Sequence, residues 1–193
     1  MTLGGLPQYR MLKTNRLKEI AMTPITRRTI LIGVALVPIS YAPSAFAVDA
    51  LPDARFVGFA QAVNDFEIGS GNLAMARSGN ENIRGYASRA IAVANDAAQS
   101  LSRVRAEAGV SYAPDRSMGP RTTNLLQQLS TLQGPAFDTA FANAQLGIMT
   151  DAEAQYGAYS QNGKSGPLRR YAQEILPKSK MQLEYARRIA GGR

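Results

Sequence analysis

Apolar residues recur at steps of three and four along four long segments of the chain, a spacing typical of amphipathic helices. The segments span about 53–77, 82–108, 135–160 and 168–190, and turns that contain glycine, proline or asparagine separate them. No stretch sustains the alternation of apolar and polar residues that predicts a strand. The pattern therefore predicts an all-α fold, an antiparallel four-helix bundle whose helices meet along narrow apolar seams.

A shorter leucine-rich segment precedes the third long helix. It spans about 122–132, and a Gly-Pro pair separates it from that helix. The stretch before it, 110–120, contains Pro114 and Pro120 and is predicted to be a loop, because proline cannot continue a helix. The bundle should therefore contain one short additional helix.

Proline and glycine weaken two of the long helices. Pro177 lies inside the last helix, where its missing backbone donor and the clash of its ring predict a kink. Gly58, Gly69 and Gly71 each cost the first helix about 1 kcal/mol relative to alanine. These glycines either admit a close neighbour or leave the packing loose.

The first 47 residues have the pattern of a secretory signal peptide. Arg27 and Arg28 precede a short apolar run, 30–37, and an A-x-A pattern ends at Ala47. We therefore expect cleavage between Ala47 and Val48. The apolar run is shorter than the roughly 20 residues that cross a bilayer, so no membrane span is expected in the mature chain. The alternative is a short anchor that is never removed.

Export divides the chain into this leader and a mature bundle domain over 48–193, which should be periplasmic or secreted. The stretch 26–31 also resembles the twin-arginine export motif, and both the general secretory route and the twin-arginine route stay open. Met22 stands where a bacterial signal peptide would normally begin. Residues 1–21 can then be an extension that comes from an upstream start codon.

The chain has 22 Lys+Arg against 14 Asp+Glu, a formal net charge of +8, but most of this charge belongs to the leader. The leader holds six cations and one acid, whereas residues 48–193 hold 16 cations and 13 acids. Together with export, this makes a nucleic-acid partner unexpected. The absence of cysteine and histidine excludes thiolate and imidazole metal ligands, disulfides and histidine general bases. No nucleophile–base pair stands out, and no cofactor is predicted.

Short landmarks recur in a recognisable order along the four long helices. They are Phe56–Ala60 with Glu67-Ile68, Ile83–Ala87, Phe137-Asp138 with Phe141–Gln145, and Tyr171-Ala172 with Leu176-Pro177. With this order, this spacing and the leader, residues 53–190 resemble the DUF4142 family of exported bacterial proteins. The resemblance implies a ferritin-like helical bundle, with no settled function and a role in stress as one expectation.

The resemblance also implies histidines on the inner faces of the bundle, which this chain lacks. The corresponding positions here are Ala94, Met149 and Gln182, while the glutamate of the first helix is retained as Glu67. If relatives bind a metal at these positions, this chain has lost most of the ligands.

Four oxygen-bearing residues are candidate metal ligands: Glu67, Asp151, Glu153 and Gln182. A ferritin-like di-iron site uses Glu-x-x-His motifs, which are absent here, so oxygen-only ligation would suit Ca²⁺ or Mg²⁺ better than iron. For Glu67 the alternative is a partly exposed carboxylate paired with an arginine, and this is the expectation that we favour. For Gln182 the favoured expectation is a cross-helix hydrogen bond that fixes the register.

The last helix concentrates positive charge. Residues 167–193 contain seven cations and two acids, so residues 48–166 sum to −2. One hypothesis is electrostatic docking to an anionic envelope component, such as lipid headgroups or cell-wall polymer. The alternative is an ordinary solvated helix surface. The candidate anion-binding residues are Arg169, Arg170, Lys178, Lys180, Arg187 and Arg188.

Two functional hypotheses follow from the sequence. The first is an exported, non-enzymatic helical-bundle protein with a binding or structural role at the cell envelope. The second is a ferritin-like metal-binding or redox protein that retains a degenerate carboxylate site.

Overall fold

The computed structural model describes residues 48–191, so the predicted signal peptide lies outside the described residues. No residue in this range is in a strand, and the all-α prediction is confirmed. The four long helices begin and end within two residues of their predicted bounds. The helices are α1 (Asp53–Arg77), α2 (Glu81–Glu107), α3 (Met118–Ser130), α4 (Gly134–Asn162) and α5 (Gly166–Ala190).

The short helix α3 begins at Met118, four residues before its predicted start, and this corrects the predicted loop up to Pro120. Pro120 lies in the first turn of α3, where a backbone N–H has no intrahelical partner and proline is tolerated. Asp115 explains the early start. Its Oδ1 accepts hydrogen bonds from the backbone N–H groups of Ser117 at 2.9 Å and Met118 at 2.7 Å.

The buried carboxyl group of Asp115 also fastens the α2–α3 loop to α1. Arg55 of α1 contacts its Oδ2 at 3.4 Å. Burial by itself would raise the pKa of Asp115, but the hydrogen bonds from Met118 and Ser117 and the charge of Arg55 outweigh burial and lower the pKa. The group therefore stays a carboxylate at neutral pH and holds the loop.

Two of the glycines in α1 allow close approach. A Cβ atom at Gly58 would overlap the carbonyl oxygen of Ala113 and lie 2.7 Å from the backbone nitrogen of Asp115, so the α2–α3 loop lies directly on the helix backbone. A Cβ atom at Gly71 would lie 2.6 Å from Cγ1 of Ile91 in α2. At these two positions glycine admits a close neighbour, which is the first of the two alternatives predicted from the sequence.

The four long helices enclose one apolar core. Helix α1 packs on α2 and α4, α5 packs on α4 and α2, and α3 lies against α1 and α4. Phe56 of α1 stacks on Tyr159 of α4, with ring centroids 3.7 Å apart, and meets Tyr156 and Tyr171 edge-on at 6.0 and 6.2 Å. Helix α5 continues through Pro177 to Ala190. Among the helices described, none combines the length and apolarity needed to cross a membrane.

Candidate functional site

Glu67 lies in the middle of α1 and points into the bundle, where only 2% of its surface is exposed. Within residues 48–191, neither carboxyl oxygen makes a hydrogen bond and no arginine pairs with the group. Burial raises the pKa of Glu67 from 4.5 to about 8, although the nearby Gln145 side chain lowers it. At neutral pH the group is therefore mostly a neutral carboxylic acid.

This position corrects the expectation that Glu67 is partly exposed and paired with an arginine. That expectation treated the group as ionised, and an ionised carboxylate cannot be buried without a partner at an acceptable cost. Protonation removes most of that cost. The sequence did contain a signal for this burial, because Glu67 follows Val63 by four residues and therefore lies on the same inner face of α1.

A chain of polar side chains crosses the bundle next to Glu67. The amide nitrogen of Gln145 donates a hydrogen bond to Oγ of Ser70 at 2.9 Å. The hydroxyl of Tyr86 donates to the amide oxygen of Gln145 at 3.1 Å. Gln145 is fully buried and thus connects α1, α2 and α4. It provides the register-fixing amide bond that the sequence analysis assigned to Gln182.

Buried tyrosines surround the same acid. Burial, and after it the negative charge of Glu67, raises the pKa of Tyr86 well above its ordinary value. Burial and the neighbouring Tyr171 hydroxyl raise the pKa of Tyr156, with a smaller contribution from Glu67. In the described part of the chain, no hydrogen-bond partner reaches the buried hydroxyl groups of Tyr156 and Tyr171 or the buried amide nitrogen of Asn64. The phenols of Tyr86, Tyr156 and Tyr171 are therefore neutral at physiological pH.

The four candidate metal ligands do not form one cluster. Asp151 pairs with Arg121 of α3, and both side chains are nearly half exposed, at 44% and 43%. Glu153 lines a surface groove together with Lys180. Gln182 is buried, and among the residues that the structure describes its amide nitrogen donates no hydrogen bond, in contrast to the expected cross-helix bond. Within residues 48–191, no three Asp or Glu side chains are grouped so that they could hold a metal ion.

The positions that the family resemblance singled out do share one property. Glu67, Ala94, Met149 and Gln182 lie on four different long helices, and each is buried. Ala94 and Met149 contribute no oxygen ligand. The neutral side chain of Gln145 lies beside Glu67, so a cation at this position would meet a donor set with a single negative charge. Such a set does not fit iron or manganese, and at most suits a weakly held hard cation.

The six candidate cations of α5 differ in their partners. Arg170 pairs with Glu107 of α2, Lys178 with Glu174 at 3.1 Å, and Arg187 with Glu184. Arg169 donates to the carbonyl oxygens of Gly163 and Lys164, at 2.6 and 3.1 Å, just after the C-terminal end of α4. Lys180 is exposed beside the groove that contains Glu153. Arg188 makes a different kind of contact, with an aromatic ring.

The ring of Tyr185 in α5 contacts two guanidinium groups. The guanidinium carbon of Arg89, from α2, is 4.7 Å from the ring centroid, and that of Arg188 is 5.3 Å away. Both distances are within the range of a cation–π interaction. Sequence reasoning missed Arg89, because nothing in the pattern of α2 shows that this residue reaches the neighbouring helix α5.

A separate groove of about 260 Å³ lies between the segment before α1 and helices α3 and α4. Leu51, Phe59 and Met118 give it apolar walls, and the Arg121–Asp151 pair lies on its lining. Asp151 is therefore a groove residue that is neutralised by its partner, and it is separate from the acid inside the bundle.

Comparison with known proteins gives one match. A family model described as a domain of unknown function (DUF4142) matches residues 41–189. No curated protein and no solved structure matches the chain.

Proposed function

The chain belongs to the DUF4142 family, and from its own residues we propose that it is an exported, non-enzymatic helical bundle that docks on an anionic component of the cell envelope. Export is inferred from the signal-peptide pattern of residues 1–47. A role under envelope stress belongs to the same proposal and comes from the family resemblance alone.

The finer architecture belongs to this proposal as well. We take α1, α2, α4 and α5 as an antiparallel four-helix bundle of ferritin-like type, with α3 added at its side. The order of contacts between α1 and α4 supports opposite directions, since Asp53 meets Tyr159 near one end and Ser70 meets Gln145 farther along. The contacts of α2 with α5 also support opposite directions, since Arg89 meets Tyr185 and Glu107 meets Arg170.

The observation that carries the docking proposal is the separation of charge between neighbouring helices. Helix α5 contains six cations and two acids, a net charge of +4, whereas α4 contains three acids and no cation, a net charge of −3. A dipolar distribution of this kind orients a protein so that its basic side faces an anionic surface. The ion pairs within α5 are exposed and do not cancel this difference, because their acids are already included in the sum.

The experiment that tests this proposal is fractionation of the bacterial cells that produce the protein. We expect it in the envelope fraction, released by a wash at high salt, with an N-terminal sequence that begins at Val48. Retention in the cytoplasm with an intact N-terminus would contradict export. Residence in the periplasm without any salt-sensitive association with the envelope would contradict docking.

One observation favours a second candidate function, a ferritin-like metal-binding or redox protein with a degenerate carboxylate site. Both oxygens of Glu67 are buried and lack hydrogen-bond partners among residues 48–191, and in native proteins such atoms often bind an ion or a water molecule. Elemental analysis and a thermal-shift series with Fe²⁺, Mn²⁺, Zn²⁺ and Ca²⁺ distinguish the two. Stoichiometric metal that is lost in Glu67→Ala would favour this second function over docking alone.

A further inference from the structure

Three side chains of α5 and one of α2 form a surface that we call the Tyr185 patch: Arg89, Met181, Tyr185 and Arg188. Met181, Tyr185 and Arg188 follow one another at steps of four and three, which places them on one stripe of the helix. Arg89 reaches this stripe from α2 through its contact with the Tyr185 ring. Cationic, aromatic and apolar groups therefore lie side by side on one face of the bundle.

The two arginines of the patch are available to an anion. Both are exposed, and neither pairs with a carboxylate in the part of the chain that the structure describes. Glu184, next to Tyr185 in the sequence, is held by Arg187. A guanidinium presents planar donors that match the geometry of phosphate oxygens, and stacking on Tyr185 limits the freedom of both groups.

Met181 indicates which anionic surface fits. It is 47% exposed, which makes it one of the few large apolar side chains that the described surface leaves uncovered. A soluble phosphate or a hydrated polymer would gain little from an exposed thioether chain. A bilayer accepts it at the level of the headgroups, where an amphipathic tyrosine ring is also favourable.

We infer that the Tyr185 patch is the contact site for an anionic phospholipid surface, with Arg89 and Arg188 on headgroup phosphates and Met181 directed between them. The inference deepens the docking proposal and rests on it. It narrows the docking surface from the whole of helix α5 to the four residues of the Tyr185 patch, which lie on α2 and α5.

The absence of tryptophan from the chain allows a direct test. Met181→Trp introduces a single fluorescent reporter into the patch. Tyr112→Trp introduces one at another exposed position, in the α2–α3 loop, where Tyr112 lines a groove together with Ala62 and Asp65 of α1. With vesicles of phosphatidylglycerol and phosphatidylcholine at low salt, we expect a blue shift for Met181→Trp and none for Tyr112→Trp.

A pair of charge variants tests the arginines. Arg89→Gln with Arg188→Gln should weaken vesicle binding roughly thirtyfold at low salt, since each basic residue near an anionic surface contributes a factor of about five. Arg116→Gln with Lys164→Gln removes the same charge from exposed positions outside the patch and should weaken binding about threefold or less. All four sites are exposed, and circular dichroism verifies that the variants fold.

The outcomes separate the patch from the docking proposal. Residues 1–47 are common to all variants, so differences between them report on the bundle. Vesicle binding that is equal in the two charge variants, or that leaves the fluorescence of Met181→Trp unchanged, would overturn the patch but leave docking in place. Failure of the unmodified protein to bind anionic vesicles at low salt would overturn both.

Discussion

At the scale of residues, the buried acid Glu67 sets the chemistry inside the helix bundle. Glu67 has no charged partner in the part of the chain that the structure describes, and its pKa of about 8 means that folding favours its protonated form. Between the unfolded value of 4.5 and about 8, the native state binds more protons than the unfolded chain. The contribution of Glu67 to stability is therefore fully present below the lower value and is lost as the pH rises through this window.

Replacement of Glu67 by glutamine, an uncharged isostere, should remove this pH dependence. From pH 5 to pH 7.5, the free energy of unfolding of Glu67→Gln should rise by about 3 kcal/mol relative to that of the unmodified protein. This follows from the raised pKa, because each pH unit in the window changes the difference by about 1.4 kcal/mol. Urea unfolding at a series of pH values measures it. Asp65→Asn, an exposed acid on the same helix, is the control and should show no such growth. Parallel pH profiles for the unmodified protein and Glu67→Gln would refute a protonated Glu67.

Hydroxyl groups next to Glu67 allow a second comparison. Tyr86 donates a hydrogen bond to Gln145, whereas the equally buried hydroxyl of Tyr171 makes no hydrogen bond within residues 48–191. Tyr86→Phe should therefore cost about 1 kcal/mol or more, because the amide oxygen of Gln145 then loses its donor. Tyr171→Phe should be neutral or stabilising. Chemical unfolding of both variants decides the matter, and equal losses would show that the Tyr86–Gln145 bond is not special.

At the scale of elements, the α2–α3 loop lies on α1 at a point where only glycine fits. Gly58→Ala should cost at least about 2 kcal/mol, because the added methyl group meets the backbone of Ala113 and Asp115 and cannot be relieved by a side-chain movement. Gly85→Ala in α2 is the matched control, since a Cβ atom there has only the tip of Arg89 within 4 Å. This control should gain up to about 1 kcal/mol of stability from helix propensity. Thermal unfolding measures both variants. A lower melting temperature for Gly58→Ala together with an unchanged or higher one for Gly85→Ala would verify the contact, and a rise in both would contradict it.

The sequence predicts elements better than it predicts partners. Apolar periodicity and turn residues place the ends of the long helices, because these signals are local. The start of α3 requires the side chain of Asp115, which caps the helix from three residues before Met118. Pro120 obscures that start, since proline in a first turn looks the same in sequence as proline in a loop.

Tertiary contacts explain the remaining differences between sequence and structure. Periodicity puts Glu67 on the inner face of α1, but its lack of a partner depends on which side chains the other helices bring near it. Gln145 instead of Gln182 forms the buried amide bond, because Ser70 and Tyr86 lie within its reach. Arg89 becomes a candidate only when α2 lies beside α5. None of these pairings is encoded by spacing within one helix.

At the scale of the whole molecule, one side is basic and the adjacent helix is acidic. Helix α5 carries +4 and α4 carries −3, while the described surface adds the exposed Met181 beside Arg89 and Arg188. The total charge of residues 48–193 is only +3, so its distribution, more than its amount, favours one orientation at an anionic surface.

The most direct test of this account is binding of the protein to vesicles at a series of salt concentrations. Vesicles that contain phosphatidylglycerol are compared with vesicles of phosphatidylcholine alone, and the bound fraction is measured by co-sedimentation. The account predicts binding to the anionic vesicles at low salt, a steep loss as the salt concentration rises, and little binding to the neutral vesicles. No binding to anionic vesicles at low salt, or equal binding to both kinds at all salt concentrations, would contradict it.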